Sequence, residues 1–91
     1  MSGAVRRRAV VSGRVQGVWY RDSARREADR LGLAGRAVNE ADGTVLLEVE
    51  GPSPAVDAFL AWAAEGPPRG RVDTVAVEVT EPIGQIGFTV A

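Results

Sequence analysis

Residues 36–50, RAVNEADGTVLLEVE, place two apolar runs on either side of an Asp-Gly pair. The β-branched and aliphatic residues at 36–39 and 44–50 are typical of strands. Asp42-Gly43, in the four residues between them, is a strong signal for a hairpin. The segment therefore predicts a pair of antiparallel strands in the middle of the chain, and the other elements are arranged around it.

A helix is predicted on each side of this hairpin. Before it, Ala24, Ala28 and Leu31 recur at helical spacing from about Tyr20 to Leu31, and Gly32 is suited to a left-handed cap. After it, Ser53 and Pro54 predict an N-cap and a first-turn proline, and Gly66-Pro67-Pro68 predicts the end. The apolar stripe of this second helix consists of Val56, Phe59, Leu60 and Ala63.

Three further strands are predicted, at 5–12, around the alternating Val75, Val77 and Val79, and at 87–90. The order is β-α-β-β-α-β with a small extra strand. This order predicts an α+β, ferredoxin-like (split β-α-β) fold, an antiparallel sheet with two helices on one face. We expect the stripe of the second helix to meet the valine row in the core. The 91 residues form one predicted domain, 1–91, with its core at about 5–90.

The composition excludes several kinds of chemistry. The chain has no cysteine and no histidine, and all eleven basic residues are arginine. Disulfides, thiol nucleophiles, zinc–thiolate sites, a histidine base and Schiff-base lysines are therefore ruled out. The acids have no spacing suited to a metal, so no metal site is predicted. No run approaches the ~20 apolar residues of a membrane span, and we expect a cytoplasmic protein with no membrane partner.

Charge is distributed unevenly along the chain. Residues 1–21 carry five arginines and no acid, whereas residues 22–91 carry six arginines and twelve acids. A cationic first quarter can attract a small anion locally, while an acidic remainder disfavours general nucleic-acid binding. We expect Arg6–Arg8 to lie on a solvated strand edge and Glu48 and Glu50 on a solvated face. Trp19, Tyr20 and Trp62 are interpreted as core or rim packing rather than as a base-stacking surface.

The glycine-bracketed stretch from Gly13 to Arg21, GRVQGVWYR, lies between a predicted strand and a predicted helix. Backbone amides in such a loop can converge on an anion, and the positive end of the following helix adds to the attraction. The planar fork of Arg21 suits phosphate oxygens, and Asp22 can partly compensate its unfavourable place in the first helical turn. The alternative is an ordinary tight connection with an exposed arginine.

Asn39 is the only asparagine and follows the first strand of the hairpin. One interpretation is a turn residue that bonds its own backbone. The other is an amide that orients a water molecule without titrating. The residues alone leave both open.

Two segments together resemble the acylphosphatase family. Residues 13–21, GRVQGVWYR, are similar to one signature of that family, and residues 35–45, GRAVNEADGTV, are similar to its second. The resemblance extends over about Val5 to Val90 and includes the Gly-Pro-Pro-x-x-x-Val-Asp run at 66–73. It implies a ferredoxin-like fold and hydrolysis of the carboxyl–phosphate bond of acyl phosphates, without a cofactor.

The resemblance also implies roles for individual residues. The phosphate cradle corresponds to the loop Arg14, Val15, Gln16, Gly17 and Val18 together with Arg21, and the water-orienting residue corresponds to Asn39. The expected partners are a small acyl phosphate and inorganic phosphate as an inhibiting product; nucleic acid is not expected, and the protein is expected to be a monomer. The alternative function is a non-catalytic anion- or nucleic-acid-binding module.

Overall fold

Seven elements follow one another in the computed structural model, which describes residues 3–91. Met1 and Ser2, the first two residues of the predicted domain, lie outside the described residues. The elements are β1 (Val5–Arg14), α1 (Tyr20–Leu31), β2 (Ala34–Asn39), β3 (Val45–Gly51), α2 (Ser53–Glu65), β4 (Arg71–Thr80) and β5 (Phe88–Val90). The predicted order is confirmed, and so is the α+β, ferredoxin-like fold class.

One five-stranded sheet carries the fold, with the strand order β4-β1-β3-β2-β5. β1 pairs antiparallel with both β3 and β4, and β2 pairs antiparallel with β3. β5 runs parallel to β2, so the sheet is mixed and the expectation of a wholly antiparallel sheet is wrong for this strand. The segment after β4 crosses from one edge of the sheet to the other. β5 then pairs with the free edge of β2 and runs in the same direction as β2.

The core lies between the sheet and the two helices. Val56, Phe59 and Ala63 of α2 are fully buried, and Leu60 packs against them at the rim. The valine row of β4 was expected to meet this stripe, but only its beginning does. Val75 packs against the core, whereas Val77 is 50% exposed and Val79 is 74% exposed. β4 is an edge strand, and the cover that α2 provides extends over its first half only.

Residues at the caps explain where the two helices begin and end. Gly32 has φ 71° and caps α1, and the N–H of Leu33 donates to Ala28 O at 2.8 Å, as predicted. The predicted N-cap at Ser53 is wrong, because Pro52 precedes the helix and no side chain caps it. Pro52, which has extended backbone, takes the cap position, so α2 begins at Ser53, one residue earlier than predicted. No helix within residues 3–91 combines the length and the apolarity needed to cross a membrane.

The face of the sheet away from the helices carries a buried ion pair. Nη1 of Arg6 donates to Oε1 of Glu50 at 3.0 Å, and the two residues are 4% and 6% exposed. Glu48 lies beside them, in ion pairs with Arg6 and Arg36. The expectation of a solvated edge is therefore wrong for Arg6, because β1 is an interior strand. The solvated face predicted for the two glutamates is also wrong.

Candidate active site

The loop between β1 and α1 is held by two buried valines. Val15 is 1% exposed and Val18 is 4% exposed, whereas Gln16 is half-buried and Gly17 is exposed. Gly17 has φ 74°, the left-handed region that glycine adopts without steric cost. Because both valine side chains are anchored in the core, the backbone between them is fixed at the protein surface.

Gly13 sets the point where the loop leaves the sheet. The register between β1 and β4 shifts between Ser12 and Gly13, which is the signature of a β-bulge. A Cβ atom at residue 13 would lie 2.2 Å from the carbonyl oxygen of Arg71, and φ there is 126°. Only glycine fits this close approach of two strands.

Trp19 and Arg21 mark the start of α1. Trp19 is the residue before the helix, with φ 66°, and it is the only non-glycine residue with positive φ within residues 3–91. This left-handed conformation costs roughly 1–2 kcal/mol for a residue with a side chain. The guanidinium of Arg21 donates to the backbone carbonyl of Ala91. Asp22 is the acid of this first turn, and it forms its ion pairs with Arg25 and Arg26 rather than with Arg21.

Tyr20 fixes the first turn of α1 against α2. Its hydroxyl donates to Ala63 O at 2.8 Å, and its side chain is buried. Burial raises the pKa of Tyr20 well above its ordinary value, so the phenol is neutral near pH 7. Its ring also packs on Trp62 at a centroid distance of 5.3 Å. The packing interpretation is confirmed for these two aromatics and is wrong for Trp19, which is 72% exposed.

Asn39 lies at the end of β2 with a buried and unpartnered oxygen. Its Oδ1 accepts no hydrogen bond from any residue of the described chain. The turn beside it is closed by Asp42, whose Oδ1 accepts from Thr44 Oγ1 at 2.6 Å and from Thr44 N at 3.0 Å. These bonds lower the pKa of Asp42. The turn-forming bonds therefore belong to Asp42, and the amide of Asn39 remains available.

A cavity of about 280 Å³ joins the loop, the helix start and the end of β2. Among the residues expected to bind or react with substrate, four line it: Val15, Gly17, Arg21 and Asn39. The other three lie elsewhere. Arg14 is exposed at the end of β1, and Val18 lines a neighbouring cavity. Gln16 directs its amide to the hairpin, where Nε2 donates to Glu40 O and Thr44 O.

Sequence reasoning did not find the bridging role of Gln16 or the contact of Arg21 with Ala91. A signal for Gln16 existed, because it lies in the loop bracketed by Gly13 and Gly17 and its side-chain amide needs hydrogen-bond partners. The partner of Arg21 is 70 residues away and carries no side-chain signal. Within residues 3–91, no three His, Cys, Asp or Glu residues are grouped closely enough to hold a metal ion.

A small α+β protein that gathers an arginine and an uncharged amide beside a strand-to-helix loop is suited to bind a phosphoryl group. Comparison with known proteins gives the family. The acylphosphatase family model matches residues 7–90, and the chain therefore belongs to the acylphosphatase family. The two signatures that carry the resemblance in the sequence, at 13–21 and 35–45, both lie within this match.

Individual relatives agree with the family assignment. An acylphosphatase from Anaeromyxobacter dehalogenans (strain 2CP-C) is 52% identical over 87 residues, covering 96% of this chain and 94% of the relative. The crystal structure of acylphosphatase from Bacillus subtilis is 34% identical with a TM-score of 0.92, covering 96% of this chain and 98% of that one. An acylphosphatase structure from Coxiella burnetii is 33% identical with a TM-score of 0.93, covering 97% and 93%. The chain is accordingly an enzyme of this family, with a small acyl phosphate as its substrate.

Proposed function

We propose that the cavity bounded by the 14–18 loop, Arg21 and Asn39 is where this enzyme hydrolyses acyl phosphates. In this proposal the backbone of the loop and Arg21 bind the phosphoryl group, and Asn39 orients the attacking water. Two observations on Asn39 carry the proposal together: its Oδ1 is buried without a partner within the described chain, and the residue lines the same cavity as Arg21. A buried, unsatisfied carbonyl oxygen costs about 1–3 kcal/mol, so its retention is best explained by a ligand or a water molecule.

Arg21 supplies the permanent positive charge of this cavity. Its guanidinium is tied to the carbonyl of Ala91 on one side, which leaves further N–H groups for phosphoryl oxygens. The N-terminal end of α1 adds a partial positive charge at the same place. Binding and charge stabilisation are the main demands of phosphoryl transfer, and neither needs a group that titrates near pH 7.

Asn39 acts on the water. An amide oxygen accepts a hydrogen bond from one O–H of a water molecule and so directs the water's lone pair without changing charge. The water oxygen forms a bond to phosphorus while the bond from phosphorus to the acyl oxygen breaks. The electron pair of that bond stays on the departing carboxylate. One water proton remains on the new phosphate hydroxyl, and the other passes to a phosphoryl oxygen, so the products are a carboxylate and dihydrogen phosphate.

This scheme needs no cofactor and no metal ion. We also propose that inorganic phosphate, which shares the phosphoryl oxygens of the substrate, competes for the cavity. A cytoplasmic monomer without a nucleic-acid partner remains our expectation. A non-catalytic anion-binding module would need Arg21 but has no use for the unpartnered oxygen of Asn39, so the enzyme is the better-supported function.

The test is an assay of phosphate release from acetyl phosphate in the presence of EDTA. We expect turnover that the chelator does not change and that added inorganic phosphate inhibits competitively. No release of phosphate above the uncatalysed rate would overturn the proposal. Loss of activity in EDTA with recovery in magnesium would overturn its metal-independent form.

A further inference from the structure

Residues 81–87, called here the strap, connect β4 to β5 without regular secondary structure. β4 and β5 form opposite edges of the sheet, so the strap crosses the full width of the sheet. The side chains of Ile83 and Ile86 are 68% and 94% exposed. Burial of these two apolar side chains therefore does not hold the strap in place, and polar contacts fix its path.

Glu50 is the main anchor of the strap. Its Oε1 accepts a hydrogen bond from Ile83 N at 2.9 Å, and its Oε2 accepts one from Gly84 N at 2.8 Å. Arg6 donates to the same Oε1 and balances its charge. A buried ion pair adds little net stability compared with apolar residues of similar volume, but its bonds specify one arrangement of the chain. The pair is therefore suited to fix the geometry of the segment that it holds.

β5 takes its position from the end of the strap. It has three residues and pairs with β2 alone, so its own ladder is short. The carbonyl of Gly87, the last residue of the strap, accepts a hydrogen bond from Gly35 N at 3.0 Å. Beyond β5, Ala91 N donates to Ala37 O at 3.0 Å. A shift of the strap along β2 would therefore be transmitted through β5 to Ala91.

Ala91 in turn holds Arg21. The guanidinium donates to the backbone carbonyl of Ala91, and this is the only side-chain hydrogen bond of Arg21 within residues 3–91. A free arginine side chain samples many rotamers, so an anchor at one N–H reduces the entropy lost when the other N–H groups bind a ligand. The anchor thereby keeps the guanidinium at the cavity that Arg21 lines.

We propose that Glu50 is a positioning residue for Arg21, acting through the strap and β5 from the opposite face of the sheet. The carboxylate fixes Ile83 and Gly84, the strap fixes β5, and the carbonyl of Ala91 fixes the guanidinium. The inference rests on the proposed function, because it gives Glu50 a part in the phosphoryl binding proposed for Arg21. It goes further by assigning a kinetic role to an ion pair that does not line the cavity.

Two glycines provide a matched test of the strap. Gly84 has φ 72° and Gly32 has φ 71°, and at both positions a Cβ atom would meet no non-neighbouring atom within 4 Å. Gly84→Ala and Gly32→Ala therefore impose the same backbone strain and should lower stability by similar amounts. Gly32 caps the far end of α1, so only Gly84→Ala should displace the strap. We expect the Kd for inorganic phosphate to rise by about three- to tenfold in Gly84→Ala and by less than about twofold in Gly32→Ala, since only the first weakens the charge-assisted grip of Arg21.

Glu50→Gln tests the anchor itself. The amide keeps the shape of the side chain but loses the charge and one acceptor oxygen, so the strap is held less firmly. We expect the Kd for phosphate to rise and kcat for acetyl phosphate to fall, each by about three- to tenfold. Gln85→Ala removes a strap contact but leaves both amide bonds to Glu50, so it should keep both values within about twofold.

Double-mutant cycles identify the residue through which Glu50 acts. In an Arg21→Gln background, Glu50→Gln should change phosphate affinity by less than about twofold, because the path to the phosphoryl group is already broken. In an Asn39→Ala background its full effect on phosphate affinity should remain, because Asn39 is not part of the path. Circular dichroism and urea unfolding establish that each variant is folded under the assay conditions.

The outcomes separate the two proposals. Absence of acetyl phosphate turnover in the wild type would overturn the proposed function itself. Wild-type turnover together with unchanged phosphate affinity in folded Glu50→Gln would overturn the positioning role alone. Equal effects of the two glycine variants, or an effect of Glu50→Gln that persists in the Arg21→Gln background, would also overturn it, since a general loss of stability would then explain the result.

Discussion

Gln16 and Glu40 are joined by a hydrogen bond of 2.8 Å, from the side-chain Nε2 of Gln16 to the backbone carbonyl of Glu40. The same Nε2 donates to Thr44 O at 2.9 Å, across the base of the hairpin turn. Glu40 follows Asn39 directly in the chain. One amide therefore sets the spacing between the loop proposed to hold the phosphoryl group and the residue proposed to orient the water.

This spacing predicts a kinetic effect for Gln16→Ala. Both hydrogen bonds are lost, and the hairpin is free to shift relative to the loop. A displacement of about 1 Å between reacting groups can cost on the order of 10²-fold in rate. We expect kcat to fall by about ten- to a hundredfold while the Kd for inorganic phosphate changes by less than about threefold. Steady-state kinetics and a phosphate titration measure the two quantities.

Gln85→Ala is the matched control for this prediction. Gln85 also donates from Nε2 to a backbone carbonyl, that of Gly35 at 2.7 Å, but it lies outside the site. The control should keep kcat within about twofold, because both hydrogen bonds of Gln85, to Gly35 O and from Arg6, lie outside the site. Equal losses of kcat in both variants would show that lost stability, rather than site geometry, explains the effect of Gln16.

Arg21 is predicted to act in binding and in the reaction. Arg21→Gln removes the charge that meets the phosphoryl oxygens, so phosphate affinity and kcat should both fall, kcat by on the order of 10²-fold. Arg21→Lys should restore little, because an ammonium cannot reproduce the planar grip on two oxygens. The measurements are the competitive inhibition constant of phosphate and kcat for acetyl phosphate. A lysine variant with near-normal values of both would disprove the requirement for the guanidinium shape.

Local signals in the sequence predict much of this molecule. The helical spacing from Tyr20 to Leu31 gives the bounds of α1, and the Asp42-Gly43 turn gives the hairpin. Both depend on contacts between residues a few positions apart. Arg21 and Asn39 could be identified because they lie within short motifs, and the structure brings both to one cavity. Their roles in the reaction remain predictions.

Features that depend on register and edge position could not be predicted in this way. Arg6 faces Glu50 because β1 pairs with β3, and the two residues are 44 positions apart. The alternation of valine with other residues along β4 is the same whether a helix covers the whole strand or half of it. The sequence pattern therefore predicts Val77 and Val79 in the core. The exposure of Trp19 follows from its left-handed backbone, which its residue type disfavours.

The buried carboxylate of Glu50 predicts how stability depends on pH. Hydrogen bonds from Ile83 N, Arg6 and Gly84 N lower the pKa of Glu50, although burial acts in the opposite direction. A lowered folded-state pKa contributes stability that is present above the unfolded value, about 4.3, and is lost as pH falls through the folded value. Glu50→Gln should lower the free energy of unfolding at pH 7 by about 1–3 kcal/mol.

Urea unfolding at pH 7 and at pH 3 measures this difference. The gap between wild type and Glu50→Gln should narrow at pH 3, because this pH lies below the unfolded-state pKa of about 4.3 and the stabilisation by the carboxylate is lost as the pH falls toward the lower folded-state value. Glu65→Gln is the control: Glu65 is exposed and forms no ion pair with any residue from 3 to 91, so its profile should follow the wild type. A gap that stays constant between the two pH values would rule out ionisation of Glu50 as its cause.

Asn39→Ala separates function from stability more sharply than any other change. The variant removes a buried oxygen that has no partner among residues 3–91, so the free energy of unfolding should stay equal to the wild-type value or rise. The water loses its orienting acceptor, so kcat should fall by on the order of 10²–10³-fold. Phosphate affinity should remain within about threefold, because the interaction is made with the water and on the way to the transition state. Kinetics, a phosphate titration and urea unfolding are measured on the same preparation. A stable variant with near-normal kcat would leave Asn39 without a role in orienting water, and a destabilised one would assign it to the hairpin instead.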